Sequence, residues 1–288
     1  MKYEAIRRYS QEFEVGKMCR VLDLTRGGYT QWWKREKRRE ANRLEDQEIL
    51  DRMSEIFKKS RKTYGYRRMW REMQEEGFEI TEHKVRKMMK SNGIYPITRN
   101  KYKPGQKGKK TGQYFENIVA QEFMPKGFNE VWVGDITYIK TKLGWVYMAI
   151  VMDLYNREII GYSISKNIDT ELAKRALSNA MGRQGSGNGT IFHSDRGAQY
   201  CSKGFQAMLL KHGFVGSMSK SGCPYDNACA ESFFSTAKKE CIYRKEYATL
   251  EEVKADLFDY IEVFYNRKRM HKTLGYKSPV TFRLQKSA

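Results

Sequence analysis

The sequence predicts an α/β region built on a mixed five-stranded sheet, preceded by an all-helical region. Three observations carry this reading. Up to about residue 95 the apolar residues recur at helical spacing and no strand-like run occurs. From residue 116 onward, runs rich in β-branched and aromatic residues alternate with helical segments. Between them, residues 97–115 carry six basic residues, no acidic one, and Pro104, Gly105, Gly108 and Gly112. The expected division is therefore residues 1–96 helical, 97–115 linker, 116–245 an α/β core, and 246–288 a C-terminal helix with a basic tail.

With 288 residues the chain is long enough for a large core plus smaller parts. Its hydrophobic content of 40% fits a soluble globular protein. No apolar run approaches the roughly 18 residues that span a bilayer, and the first residues lack an apolar signal core, so the expected location is the cytoplasm. The five cysteines show no C-x-x-C spacing, which argues against a zinc site or a disulfide framework. The net charge of +20 is uneven, since residues 1–115 hold 30 basic and 16 acidic residues. A basic front end points to a polyanionic partner, most commonly nucleic acid.

In the helical region, Val15, Met18, Cys19 and Leu22 mark one helix, Thr25 to Gly28 a turn, and Tyr29 to Lys34 the start of another, which is a helix-turn-helix pattern. A second pair follows. Tyr66 to Glu76 is helical, Gly77 stops it, and Thr81 caps a helix running to Lys90. That helix sets Val85, Met88 and Met89 against His83, Lys84, Arg86, Lys87 and Lys90. Its basic face fits contact with DNA phosphates, or a solvated surface. The linker, with Arg99, Lys101, Lys103, Lys107, Lys109 and Lys110, is suited to follow a phosphate backbone, each neutralised phosphate steepening the salt dependence of binding.

In the core, Val131 to Ile139 reads as a strand. Gly144 turns into a second strand, Trp145 to Asp153, and Asn156-Arg157 into a third, Glu158 to Ser165. A helix over Thr170 to Met181 buries Leu172, Ala173, Ala176, Leu177 and Ala180. Thr190 to Ser194 is a fourth strand, Lys203 to His212 a helix, Phe214 to Met218 a fifth strand, and a long helix starts near Asn227. The order β-β-β-α-β-α-β-α is that of the ribonuclease H-like fold.

Three carboxylates stand out. Asp135 sits mid-strand, on the face of Val131, Val133, Thr137 and Ile139. Ionised and alone it would cost several kcal/mol, so it calls for a metal cation or a buried salt bridge. Asp195 directly follows the fourth strand, which neighbours the first in this fold. Glu231 lies near the start of the last core helix, with 35 residues between it and Asp195. Three carboxylates from separate elements match an oxygen-ligand site for Mg²⁺, and paired hard cations suit phosphoryl transfer. Lys238 falls on the Glu231 face two turns later and reads as a DNA contact or as a solvated lysine. Asp226 reads as a helix cap and Asp153 as a turn residue. His193, on the Asp195 strand, is a substrate contact or packing support.

Several stretches together resemble a known family. They are Trp132 to Ile139, His193 to Tyr200, Tyr225 to Phe234, the tail from Tyr265-Asn266-Arg267 through Arg269, His271, Leu274-Gly275-Tyr276 and Ser278-Pro279, and Tyr64-Gly65-Tyr66-Arg67-Arg68 ahead of the core. Over nearly the whole chain this pattern resembles the second-frame (OrfB) transposases of the insertion-sequence-three group, whose integrase core is similar to that of retroviral integrases. The resemblance implies a D-D-35-E triad of Asp135, Asp195 and Glu231 that is both catalytic and metal-binding, with two Mg²⁺ ions per site and Mn²⁺ in substitution. It implies nicking at the inverted-repeat ends of a mobile element and attack of the freed 3′-hydroxyl on DNA. It makes Lys238 a contact with the DNA end. Further candidate DNA contacts are Lys84, Arg86, Lys87, Arg67, Arg68, Lys101, Lys103, Arg267, Arg269 and His271. Expected partners are element ends, target DNA, further copies of the chain, and the upstream first-frame protein or a frameshift fusion with it, but no membrane. Two features depart from relatives. No paired His and Cys set occurs near the front, so no structural zinc is expected, and position 134 holds Gly where many relatives carry Thr, Ala or Ser, a change expected to be tolerated. The competing readings are a ribonuclease H-like nuclease or resolvase, and an inactive copy that occupies DNA ends without chemistry.

Overall fold

A computed structural model of the chain describes residues 1–97, 115–119, 125–185, 188–219 and 227–287. The chain divides into two units, Met1–Lys59 and Ser60–Ala288.

The first unit holds α1 (Lys2–Tyr9), α2 (Val15–Val21) and the long α3 (Arg26–Lys59). Ile6, Cys19 and Tyr29 form its small core, with Val15, Met18, Leu22 and Trp32 packed around them. Between α2 and α3, the Thr25 hydroxyl accepts from the Gly28 N–H at 3.1 Å and so satisfies one of the open donors of the helix start.

The second unit begins with α4 (Tyr66–Glu75) and α5 (Glu82–Ser91). Gly77 at φ +88° ends α4, a conformation glycine adopts without strain. The Thr81 hydroxyl caps α5 by accepting from Lys84 N–H. Met69, Met73, Val85 and Met89 are buried. The Tyr64 hydroxyl ties this pair to the C-terminal segment, donating to Lys268 O at 2.9 Å and accepting from Met270 N–H at 3.2 Å.

The sheet has the order β3-β2-β1-β4-β5. Its strands are β1 (Val131–Thr141), β2 (Gly144–Asp153), β3 (Ile159–Ser165), β4 (Ile191–Ser194) and β5 (Val215–Met218). The first three form an antiparallel meander, whereas β4 runs parallel to β1 and β5 parallel to β4. Strand alternation sorts β1 into two faces. Val131, Val133 and Ile139 pack under α9 (Ala228–Glu240) and α10 (Leu250–Phe258). Trp132 and Ile136 face α6 (Thr170–Gln184) and α8 (Lys203–Lys211). A Cβ on Gly161 of β3 would lie 2.3 Å from Ala176 O and 2.6 Å from Ala180 N, so glycine there lets α6 sit directly on the sheet. A short helix, α7 (Ala198–Cys201), follows β4 and was not evident from periodicity.

The C-terminal segment is more than a tail. Past α10 the chain continues as a π-helical stretch, Asp259–Tyr265, and ends in α11 (Pro279–Ser287). The Asn266 amide extends the β3 edge, accepting from Ile159 N–H and donating to Ile159 O, both at 3.0 Å. Among the described residues no helix is long and apolar enough to cross a membrane.

Candidate active site

The pairing of β1 with β4 positions the two aspartates. Gly134 is the Cα partner of Ser194, the last pair of two parallel strands about 4.8 Å apart, so Asp135 and Asp195 directly follow neighbouring residues. Asp135 is 8% exposed, and its Oδ1 accepts from Ile136 N–H at 2.8 Å. Asp195 opens the turn into α7, its Oδ1 accepting from Gly197 N–H at 2.8 Å. The loop after β4 is tied to the end of β5 by Arg196 Nε donating to Ser219 O at 2.8 Å.

Helix α9 brings the glutamate. Its cap residue Asn227 is buried and donates from Nδ2 to Gly134 O at 3.3 Å, bonding the start of the helix to the residue before Asp135. Glu231 stands in the first turn of that helix. The three carboxylates are thus carried to the same region by β1, β4 and α9. Among the described residues, no three His, Cys, Asp or Glu side chains are close enough together to enclose an ion. Among the described residues, two buried polar atoms in this region find no hydrogen-bond partner, Tyr200 Oη and Asn227 Oδ1. The Tyr200 phenol is pushed well above its ordinary pKa, first by burial and then by the charges of Asp135 and Asp195.

Lys238 is not the solvated lysine that was one reading of the sequence. It is 7% exposed, and its ammonium lies 4.9 Å from the centre of the Tyr138 ring, within cation–π range. Tyr138 is itself 53% exposed and meets Trp145 edge-on. His193 is wholly buried, with Nδ1 2.9 Å from the Ser217 hydroxyl and Nε2 3.3 Å from that of Ser219, a packing position. Asp153 closes β2 by accepting from Asn129 N–H and Tyr155 N–H, both at 2.8 Å. Burial pushes its carboxyl up to about 6, with Glu158 adding to the shift and the backbone donors opposing it.

The basic candidates separate by exposure. Arg67, Arg86, Lys87 and Arg267 are exposed, while Lys84 and Arg68 are half-buried. Arg269 is inside the core. Its Nε and Nη2 donate to Glu240 at 2.8 and 2.9 Å, and Tyr260 Oη donates to the same carboxylate at 2.8 Å. Burial opposes the Arg269 charge, but Glu240 more than offsets it, so the guanidinium is held above its usual pKa. Contact with DNA through Arg269 would require opening this pair. His271 is half-buried, edge-on to Tyr265. Its pKa is pushed well down by burial and by Arg269, Arg68 and Arg157, which leaves it neutral near pH 7. Lys101, Lys103 and Asp226 lie outside the described residues.

Sequence reasoning missed Tyr200, the anchoring role of Asn227, and Glu240 as the partner of Arg269. Only for Tyr200 was there a signal, an aromatic hydroxyl five residues after Asp195 within the His193 to Tyr200 stretch.

Residues 125–224 and 231–286 each match a family described as integrase core domain, and residues 44–102 one described as HTH-like domain. The chain is 38% identical over 282 residues to the transposase InsF for insertion sequence IS3A of Escherichia coli (strain K12), covering 98% of both chains. It is 34% identical over 266 residues to the insertion element IS600 uncharacterized 31 kDa protein of Shigella sonnei, covering 92% of this chain and 97% of the other. Among solved structures, the HTLV-2 integrase catalytic core domain in complex with magnesium aligns with a TM-score of 0.39 at 15% identity, over 54% of this chain and 95% of that one. Full-length identity of this order, over a helical front part and an integrase core in the same sequence, shows that the chain belongs to the IS3 family of insertion-sequence transposases.

Proposed function

We propose that this protein nicks DNA by hydrolysis at the inverted-repeat ends of its element and that the freed 3′-hydroxyl then attacks a phosphodiester of the recipient DNA, displacing that strand's own 3′-oxygen, with Asp135, Asp195 and Glu231 as its catalytic and metal-holding triad. The observation that carries the reading is the register of β1 on β4, which sets Asp135 beside Asp195, with α9 bonded to the same point of β1. The donor set is all oxygen and comes from three elements, which fits a hard divalent cation, Mg²⁺ or Mn²⁺, with two ions in each site. When bound, such ions supply Lewis-acid stabilisation of the attacking and leaving oxygens of an in-line displacement.

The chain's own residues have four tasks. Backbone N–H groups hold one oxygen of each aspartate, fixing the orientation of the carboxylates. Asn227 fixes the height of α9 and so the approach of Glu231. Lys238, beside the Tyr138 ring, meets the DNA end. The α4–α5 pair, with Arg67, Arg86 and Lys87 outward, and Arg267 on the C-terminal segment, engage phosphates and hold the duplex in place. The linker residues Lys101 and Lys103 add to this contact. In this reading residues 116–245 are the catalytic core, the protein works as a homo-oligomer on paired ends, and the first-frame protein or a fusion with it supplies further end recognition.

The test is incubation of the full chain with labelled DNA carrying its flanking repeats in Mg²⁺ or Mn²⁺, beside Glu231→Gln, scoring nicks and joined products. Metal-dependent joining by the wild type and its loss in the variant are expected. Cleavage without joining would replace transposition by nuclease chemistry, and equal activity in both proteins would remove Glu231 from the site.

A further inference from the structure

The first unit, Met1–Lys59, takes no part in the chemistry above, yet its three helices are fixed in one arrangement. Each gives one residue to the core, Ile6 from α1, Cys19 from α2 and Tyr29 from α3. The Tyr3 ring stacks on Trp32 at 5.5 Å, and Lys2 Nζ donates to Leu22 O at 3.0 Å, so α1 holds both α3 and the turn before it. A Cβ on Gly28 would lie 2.6 Å from Tyr3 Oη, so glycine there is what lets α1 approach the start of α3. Past the end of α2, Asp23 takes φ +55° and Leu24 N–H donates to Cys19 O at 2.9 Å. Helix α3 begins after the turn at residues 22–25. This is a helix-turn-helix braced by a third helix.

Helical periodicity divides the first turns of α3 into two faces. Tyr29 and Trp32 turn to the core, and on their side Glu36 is half-buried and pairs with Arg39 at 3.4 Å. Gly27, Thr30, Gln31, Lys34 and Arg38 recur at helical spacing on the opposite side, and all are exposed. Glu36 is the one acid among residues 26–39, against six basic residues, so no acid stands on the outward stripe. Lys34 and Arg38 are like charges four positions apart, as are Arg35 and Arg39, an arrangement that weakens a free helix. Among the described residues, neither Lys34 nor Arg38 has an ion-pair partner, and the Gln31 amide makes no hydrogen bond. The Thr30 hydroxyl donates back to Arg26 O at 3.0 Å. A Cβ at Gly27 would meet nothing within 4 Å, so the helix start is open on this side. A solvated face offsets its charges with acids at i+3 or i+4, whereas this one is left for an external polyanion to neutralise. We propose that α3 is the recognition helix of a separate duplex-DNA module, with Gln31 reading a base edge in the major groove of the element end and Lys34 and Arg38 on the flanking phosphates. An amide side chain pairs with adenine through two hydrogen bonds. In this docking α2 crosses the DNA backbone, where Arg20 is exposed. The proposal rests on the chain acting at element ends. It adds base reading to the phosphate contacts of the second unit, which position the duplex without identifying it.

The test is fluorescence anisotropy of the full chain without divalent ions, on labelled duplexes carrying the flanking repeat or the same bases scrambled, over a range of salt. Wild type, Gln31→Ala, Lys34→Ala, Arg38→Ala and Asp135→Asn are compared, with thermal melting of each. The wild type is expected to prefer the repeat. Gln31→Ala should lose about 5-fold or more of that preference, the least that a base contact of this kind contributes, with its binding to the scrambled duplex unchanged. Lys34→Ala and Arg38→Ala should weaken both duplexes alike, each lowering the slope of log affinity against log salt by about 1. These three side chains are exposed, so the variants should melt as the wild type does. Full preference in Gln31→Ala, or equal losses on both duplexes, overturns the base contact, and unchanged salt slopes overturn the phosphate contacts. A wild type that binds neither duplex, or both equally, overturns the module. Asp135→Asn should bind as the wild type, so the expected binding pattern in a protein that joins no DNA ends would support α3 while removing the proposed chemistry.

Discussion

Gly134 offers a sharp check on how the sheet is packed at the site. An Ala Cβ there would come 2.6 Å from Phe192 Cζ and 3.1 Å from Cε1, against the roughly 3.5–4.0 Å at which carbon atoms rest. One of the two must shift by about 1 Å. The Phe192 ring has little room to do so, because Tyr200, Phe205 and Phe214 surround it and it is 1% exposed. Overpacking of this kind costs about 1–3 kcal/mol. Against it stands the smaller entropy of the unfolded chain with Ala in place of Gly, about 0.4–1 kcal/mol. The net expectation for Gly134→Ala is a loss of about 1–2 kcal/mol, or roughly 2–8 °C in Tm for a unit of this size. Thermal unfolding followed by circular dichroism measures it. Phe192→Leu makes the room that the new methyl needs, so the double variant should be less destabilised than the sum of the singles by at least about 0.5 kcal/mol. A Gly134→Ala protein as stable as the wild type, or strictly additive singles, would refute the argument that Phe192 occupies the place of a side chain at 134.

Two further changes probe the rest of the second unit. Among the described residues, Arg269→Met leaves buried Glu240 with only the Tyr260 hydroxyl on its carboxylate, and breaking one side of such a pair should cost about 3–5 kcal/mol; a loss below about 1 kcal/mol in urea unfolding would mean that the pair is solvated. The Asp153 carboxyl, raised by burial to about 6 in the fold from about 4 in the unfolded chain, contributes stability that is fully present below the unfolded value and lost as pH rises through 6. The loss amounts to about 3 kcal/mol. Asp153→Asn has no such titration, so its Tm relative to the wild type should climb between pH 4 and 7 and level off above, and parallel curves would contradict the shift.

The sequence alone determined the order of the strands and singled out three candidate carboxylates, because both are local signals. A β-branched run with an acid at its centre, an aspartate at a strand end, and a glutamate in the first turn of a helix are readable without contacts, and the strand limits differ from the structure by one or two residues. The family was legible for the same reason, since its motifs are short runs at fixed spacing. Tertiary structure decided which basic residues are available. Arg269 and Arg267 look alike in a basic tail, yet one is buried against Glu240, 29 positions away, and the other is exposed. The same holds for a glycine at the site. Gly134 reads as a harmless small residue until the Phe192 ring and the Tyr200 hydroxyl are found beside it. Burial, ion pairing and close approach depend on residues far apart in the chain, and local pattern carries no record of them.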